Sequence, residues 1–233
     1  MIVFHNVSKR YPGSSREWAL REIGLQIPSG ELIGFLGPSG AGKSTLLRML
    51  TMEERPTEGV VTVGGYSSDA ITSREIPGHR RNLGVVYQDF RLIPDKTIWE
   101  NVAYALRMTG CLRRRTVQGM VTKVLEKVGI LHKRHAYPHQ LSGGEQQRAA
   151  LGRALIHEPS IVLADEPTGN LDAEMGGEIM ALLKKLNMKG TTVLVATHNE
   201  ELARRYAHRL VYLRDGRIQG EEKVAARPAV LSL

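Results

Sequence analysis

The sequence contains a single cysteine and no long apolar run. Cys111 stands alone among 233 residues, which excludes an internal disulfide and agrees with a reducing compartment. No segment approaches the roughly 20 apolar residues that span a bilayer. The opening stretch MIVFHNVSKRY also lacks the basic and apolar regions of a secretion signal. We therefore expect a cytosolic protein in which Cys111 has no functional role.

Long repeats and low-complexity linkers are also missing, so composition suggests an ordinary globular chain. A length of 233 residues with 42% hydrophobic side chains fits one large α/β domain, or one domain with a subdomain. The net charge of +8 lies in short, scattered clusters. Such an excess of positive charge favours binding to nucleic acid or to an anionic membrane leaflet, but scattered clusters are also typical of solvated helix faces. Charge alone does not identify a partner.

Apolar, β-branched runs alternate with segments of helical periodicity along much of the chain. A helix is expected over residues 43–51, another lies between the last two strands, and residues 97–158 show helical spacing only. The predicted strands are residues 32–37, 59–65, 83–88, 161–164 and 191–197. This order indicates an α/β fold with a parallel sheet and a helical insert. The chain from Glu221 onward shows no pairing pattern and is expected to be loosely held.

A glycine-rich loop lies between the first strand of this series and its helix. GPSGAGKST (37–45) matches G-x-x-x-x-G-K-[ST] through Gly37, Gly42, Lys43 and Ser44. The glycines let backbone N–H groups approach phosphate, Lys43 reaches the β and γ phosphates, and Ser44 can bind Mg²⁺. A simple glycine-rich turn is the alternative, which the flanking elements disfavour. The predicted phosphate loop is Gly37, Pro38, Ser39, Gly40, Ala41, Gly42, Lys43, Ser44 and Thr45.

Polar residues end three further strands. IVLADEP (161–167) places Asp165 to hold Mg²⁺ and Glu166 to act as general base on the attacking water. His198 ends a second apolar strand and Gln88 a third, so both are expected at the same carboxyl edge of the sheet. Taken alone, His198 is more often a structural histidine. Gln88 is placed to sense the metal and the water.

The stretch LSGGEQQR (141–148) opens a helix with a capping box, in which Ser142 pairs with Glu145. A cap does not require the two glycines between them, whereas a backbone that must approach phosphate does. Three nearby histidines have no acid or cysteine adjacent in sequence, and Pro138 breaks the helix before the third, so zinc binding is not expected. They are His132, His135 and His139.

Six motifs, in this order, resemble those of ATP-binding cassette (ABC) ATPases. The phosphate loop, Gln88, LSGGEQQR, IVLADEP, GNLD (169–172) and His198 are similar to Walker A, the Q-loop, the signature, Walker B, the D-loop and the switch histidine. The resemblance implies a P-loop, RecA-like core with a mainly parallel sheet, an N-terminal antiparallel β subdomain and an α-helical subdomain. The implied domain is 1–220, with the β subdomain and core in 1–88 and 159–220, the helical subdomain in 89–158, and a tail at 221–233.

The resemblance also implies ATP and Mg²⁺ as ligands and a head-to-tail homodimer that encloses ATP. In it, a signature loop of Ser142, Gly143, Gly144 and Glu145 covers ATP held by the partner chain, and Tyr11 stacks on adenine. The D-loop residues Asn170, Leu171 and Asp172 line the dimer interface. The catalytic residues implied are Lys43, Gln88, Glu166 and His198, and those implied for the metal are Ser44, Gln88 and Asp165.

Residues 73–106 resemble the FtsE family of bacterial cell-division ATP-binding proteins. This implies an integral membrane partner resembling FtsX and a peripheral position on the cytoplasmic face of the cell membrane, at the division site. ATP-driven closure of the dimer would be transmitted through this partner and would regulate peptidoglycan hydrolases or their adaptors. A coupling segment (residues 89–92) would contact that partner through Asp89, Phe90, Arg91 and Leu92. DEPTG and GNLD are shared with lipoprotein-releasing and macrolide-exporting ATPases, which remain the alternative. A soluble ABC ATPase is disfavoured because the chain has one cassette and no long coiled coil, so no nucleic-acid partner is expected.

Overall fold

The computed structural model describes residues 1–13, 18–108 and 113–224, and Cys111 lies outside them. The strands are β1 (Ile2–Lys9), β2 (Leu20–Ile27), β3 (Leu32–Leu36), β4 (Glu58–Val63), β5 (Tyr66–Ser67), β6 (Leu83–Val86), β7 (Ile161–Asp165), β8 (Thr192–Thr197), β9 (Arg209–Arg214) and β10 (Arg217–Lys223). The helices are α1 (Lys43–Leu50), α2 (Ile76–Arg81), α3 (Ile98–Arg107), α4 (Arg114–Lys127), α5 (Gly143–Leu155), α6 (Ala173–Asn187) and α7 (Glu200–Tyr206), with 3-10 turns at Leu131–Lys133 and Pro138–Gln140.

In the described residues, the larger sheet has six strands in the order β10-β9-β3-β8-β7-β6, and all neighbours except β9 and β10 run parallel. Strands β3 and β8 are buried throughout, since the sheet is covered on both faces. The carboxyl ends of β3, β6, β7 and β8 meet at one edge. The phosphate loop, Gln88, the Asp165–Glu166 pair and His198 follow these strands, so the topology gathers them there.

The smaller sheet is antiparallel, with the order β2-β1-β4-β5. Its buried side chains, among them Phe4 and Ile23, share one core with α1 and one face of the larger sheet. In the described part of the chain, no helix has both the length and the apolar character needed to cross a bilayer.

Helices α3, α4 and α5 fill the chain between β6 and β7, and the described residues there include no strand. Thr97 caps α3 in a capping box with Glu100. The buried amide of Asn101 accepts from the Ile93 N–H and donates to the carbonyls of Ile93 and Lys96, which fixes the segment leading into α3. This helical region agrees with the predicted insert, while the domain boundaries at 89 and 158 stay predictions.

Strand β10 shows that one expectation was wrong. Residues 221–223, placed by the sequence in a loose tail, pair antiparallel with β9, where Glu221 faces Val211 and Lys223 faces Arg209. The predicted boundary at 220 therefore lies inside a strand. Beyond Val224 the predicted tail falls outside the described residues.

Candidate nucleotide site

Three glycines of the phosphate loop, Gly37, Gly40 and Gly42, have positive φ, and at two of them a side chain would collide with neighbouring atoms. At Gly42 (φ 105°) a Cβ would lie 2.5 Å from Leu20 Cδ2, and at Gly37 it would lie 2.2 Å from the Leu213 carbonyl oxygen. Gly42 is the N-cap of α1 and forms no side-chain cap, so the first N–H groups of the helix depend on other partners. A helix start of this kind, inside a cavity, suits a phosphate group.

Lys43 is the cation of the loop and is almost fully buried, with 7% of its side chain exposed. Its Nζ donates to the carbonyls of Gly37 at 2.7 Å and Pro38 at 3.3 Å. Glu166 Oε1 lies 3.4 Å from the same ammonium. The charge is therefore held above the loop by three acceptors, within reach of any anion that enters.

Ser44 and Asp165, two of the predicted magnesium ligands, are in direct contact. Ser44 Oγ donates to Asp165 Oδ1 at 3.1 Å. Burial raises the pKa of the Asp165 carboxyl, as does the neighbouring Glu166 carboxylate, while the Ser44 hydroxyl acts in the opposite direction. A hydroxyl and a carboxylate oxygen at the mouth of a phosphate loop fit the donor preference of Mg²⁺. The third predicted ligand, Gln88, lines the same cavity.

Glu166 joins Lys43 to His198. Oε2 of Glu166 lies 2.9 Å from Nδ1 of His198 and also accepts from the His198 backbone N–H at 3.3 Å. The backbone of Glu166 is left-handed (φ 46°), held by bonds from its N–H to the Ala196 carbonyl and from the Gly169 N–H to its own carbonyl. Such an outlier persists where its surroundings fix it, which is common at functional sites. The two adjacent acids therefore have separate roles, since Asp165 lies beside Ser44 and Glu166 lies between the Lys43 ammonium and the His198 imidazole.

Lys43, Ser44, Gln88, Glu166 and His198 line a cavity of about 560 Å³, whereas Asp165 is not among its lining residues. Ala19, which no sequence pattern indicated, is part of the wall beside the predicted residues. Tyr11, Gly37 and Pro38 are not among the lining residues, and no described residue bonds the buried Tyr11 hydroxyl. The lining consists of Ala19, Ser39, Gly40, Ala41, Gly42, Lys43, Ser44, Thr45, Gln88, Glu166 and His198.

The signature loop lies outside this cavity and forms the expected capping box. The Glu145 N–H donates to Ser142 Oγ at 3.3 Å, and the Ser142 N–H donates to Glu145 Oε2 at 2.9 Å. That backbone bond, with Lys133 nearby, lowers the pKa of Glu145. Packing within the same chain explains why position 144 is glycine, since a Cβ there would lie 2.4 Å from Met175 Cγ and Sδ on α6. The sequence interpretation, in which both glycines serve a phosphate, omitted this contact.

The predicted D-loop residues also have contacts within the chain. Asn170 Nδ2 donates to the Gln88 carbonyl at 3.0 Å, and Asp172 Oδ1 caps α6 by accepting from the Met175 N–H at 2.8 Å. Leu171 packs against the helical core. The dimer role of this segment stays a prediction.

The coupling segment is held by a residue that the sequence did not single out. Phe90 and Arg91 both have left-handed backbones, with φ of 57° and 49°. Arg153 of α5 donates from Nη2 to the Phe90 carbonyl at 2.8 Å and from Nη1 to the Arg91 carbonyl. In sequence Arg153 is one cation among many on a helical face, so periodicity gave no sign of this contact.

Comparisons with known proteins give concordant matches. The family model described as ABC transporter matches residues 20–169. The cell division ATP-binding protein FtsE of Streptococcus pneumoniae serotype 2 is 42% identical over 222 residues, covering 95% of each chain. FtsE of Mycobacterium tuberculosis is 44% identical over 223 residues, covering 96% of each. The dimeric, post-hydrolysis structure of the ATP-binding cassette MJ0796, bound to ADP and Pi, is 38% identical with a TM-score of 0.89, covering 97% of this chain and 100% of that one.

Proposed function

This chain belongs to the ABC transporter family and, within it, to the FtsE cell division ATP-binding proteins, and we propose that it is the ATP-hydrolysing subunit of an FtsE–FtsX-type membrane complex. The observation that carries the proposal is the cavity itself. One carboxylate, Glu166, lies between the Lys43 ammonium and His198, and the Ser44–Asp165 pair lies beside the same phosphate loop.

In hydrolysis each of these side chains has a separate role. The phosphate loop and the start of α1 bind the triphosphate of ATP, and Lys43 exchanges the Glu166 carboxylate for a phosphate oxygen. Glu166 accepts the proton of the attacking water, and His198 orients its carboxylate. Gln88, at the cavity wall, orients the water. Mg²⁺, which Ser44 and Asp165 would hold, supplies neutralisation of phosphate charge when bound.

The working unit of the proposal is a head-to-tail homodimer. The signature loop does not line the cavity of its own chain, and its cap residue Ser142 is exposed at the start of α5. A loop of this kind suits ATP held by a second copy under C₂ symmetry. The similarity to a dimeric cassette bound to ADP and Pi supports the same arrangement. Tyr11 would stack on adenine, and residues 170–172 would meet across the interface.

The membrane partner binds, in this proposal, at the coupling segment. Closure of the dimer moves residues 89–92, and the partner transmits this movement across the membrane to peptidoglycan hydrolases or their adaptors. The protein then acts peripherally on the cytoplasmic face of the cell membrane, at the division site. Identity of more than 40% with FtsE proteins over nearly the whole chain supports this reading.

The test is to purify the Glu166→Gln form with ATP from native membranes in mild detergent and to identify what accompanies it by mass spectrometry. We expect a four-span membrane protein together with a cell-wall hydrolase or its adaptor. Lys43→Ala, treated identically, is the control, since loss of ATP binding should lower recovery of an ATP-dependent complex. A permease with lipoprotein or drug cargo would reassign the protein to export, and a purely soluble set of partners would refute the membrane role.

A further inference from the structure

Helix α5 contacts two distant functional segments of the chain. Its N-terminus is the signature loop, with Ser142 as the cap. Near its other end, the Arg153 guanidinium donates to the carbonyls of Phe90 and Arg91 in the coupling segment. A single helix therefore joins the segment proposed to meet the membrane partner to the loop proposed to meet ATP.

The coupling segment has a backbone that needs support. Two consecutive residues other than glycine, Phe90 and Arg91, hold positive φ, a conformation that persists only when neighbours determine it. Arg91 itself lies with its guanidinium 3.7 Å from the centre of the Tyr87 ring and pairs with Asp89, which fixes its side chain. Arg153 fixes the backbone, because its planar fork serves two successive carbonyls at once. A lysine ammonium, a single point on a flexible stem, lacks this fork.

The middle of α5 contacts the chain just after β7. Gln147 is fully buried, and its Nε2 donates to the Pro167 carbonyl at 2.7 Å. Pro167 follows Glu166 directly, so α5 is fixed to the backbone next to the general base as well as to the coupling segment. Because a helix moves as a rigid unit, a displacement of α5 at Arg153 also moves the signature loop at its N-terminus and the backbone next to Glu166.

We propose that Arg153 is the positioning residue through which the coupling segment sets the position of α5, and with it the signature loop. The proposal rests on the proposed function, since it assumes that residues 89–92 contact the membrane partner. Arg153 itself does not line the nucleotide cavity. Substitution of Arg153 should therefore weaken the effect of the membrane partner on ATP turnover and leave ATP binding unchanged.

The first experiment is hydrogen–deuterium exchange on the isolated chain, comparing wild type with Arg153→Lys. Arg80→Lys is the matched control, because the Arg80 guanidinium on α2 also donates to two successive backbone carbonyls, Thr51 O at 2.9 Å and Met52 O at 3.4 Å, which neither belong to the coupling segment nor line the nucleotide cavity. We expect faster exchange of residues 88–93 in Arg153→Lys alone. Equal exchange in all three proteins would overturn the proposal. If Arg153→Lys does not fold, Arg153→Gln, which keeps one amide donor, replaces it.

The second experiment measures ATP turnover of the chain alone and in complex with its co-expressed membrane partner in nanodiscs. For Arg153→Lys we expect an unchanged KM for ATP, and a kcat of the complex reduced about 3- to 30-fold relative to the wild-type complex. Arg80→Lys should behave as wild type. If the wild-type complex forms normally and the Arg153→Lys complex has the same kcat, this inference is overturned but the proposed function is not. A wild-type chain that binds no membrane partner would overturn the proposed function and the inference together.

Discussion

Gly144 offers a direct test of why the signature loop contains glycine. In the structure, a Cβ at this position points into its own chain and would lie 2.4 Å from Met175 Cγ and Sδ. At Gly143 the nearest atom to such a Cβ is Leu171 Cδ2, at 3.4 Å, an ordinary contact. The two glycines therefore separate two explanations, packing against α6 and access for a phosphate of the partner chain.

The cost of Gly144→Ala follows from the overlap. Carbon atoms pack best at about 3.5–4.0 Å, so the new methyl group would overlap Met175 by more than about 1 Å. Methionine is flexible and this one is only partly buried, which places the cost near the lower part of the usual range for overpacking, about 1–2 kcal/mol. For a chain of this length, that corresponds to a decrease in Tm of roughly 2–8 °C.

The assay is a double-mutant cycle, with Tm and ATP turnover measured for Gly144→Ala, Met175→Ala and the double variant. We expect the double variant to recover both quantities to the level of Met175→Ala, with a coupling energy of about 1–2 kcal/mol. Gly143→Ala should leave Tm unchanged and lower turnover. A Tm that stays low in the double variant would refute the packing explanation, whereas recovery of Tm without turnover would show that Gly144 also serves the partner's nucleotide directly.

Three further predictions concern the nucleotide site. Glu166→Gln should retain ATP affinity but lose on the order of 10² to 10⁴ in turnover, about 2.7–5.5 kcal/mol of barrier, and unchanged steady-state turnover would remove it from the role of base. Burial raises the pKa of Asp165 above its ordinary 3.8, so its favourable contribution to stability is complete below that value and is lost as pH rises through the raised pKa. Asp165→Asn should therefore raise the Tm of the nucleotide-free chain more at about pH 7 than at about pH 3.5, below the ordinary value, and an equal gain at both would contradict the burial argument. An equal mixture of Ser142→Arg and Lys43→Ala should recover about a quarter of wild-type turnover if the signature acts across a symmetric dimer, whereas no gain over either variant alone would count against it.

The fold class was predictable because the strands that define it are long apolar runs. Strands β3, β7 and β8 are buried on both faces, so their sequences are nearly continuous hydrophobic segments. Strand β10 (RIQGEEK) is an edge strand with one neighbour and largely exposed side chains. Its pairing with β9 comes from backbone hydrogen bonds, which leave no hydrophobic signature, so the sequence placed its last three residues in a tail.

The site was predictable only where its chemistry is local in sequence. The phosphate loop carries its conformation in its own glycines, and Lys43 is brought to the cavity by adjacent residues. The contact between Arg153 and Phe90 joins residues 63 positions apart, and the left-handed turn at Glu166 depends on a bond to β8. Such features follow from how the helical region packs on the sheet, which periodicity does not specify.

The contacts of Lys43 imply that release of the catalytic base depends on arrival of the substrate. Its ammonium has three donors, and three acceptors already surround it, the carbonyls of Gly37 and Pro38 and the carboxylate of Glu166. A phosphate that binds Lys43 must displace at least one of them. Of the three, only the carboxylate carries a charge that a phosphate would repel, and it keeps a second partner in His198. Glu166 is therefore the acceptor most readily given up, so the same event that binds the triphosphate leaves the carboxylate free to accept a proton from water.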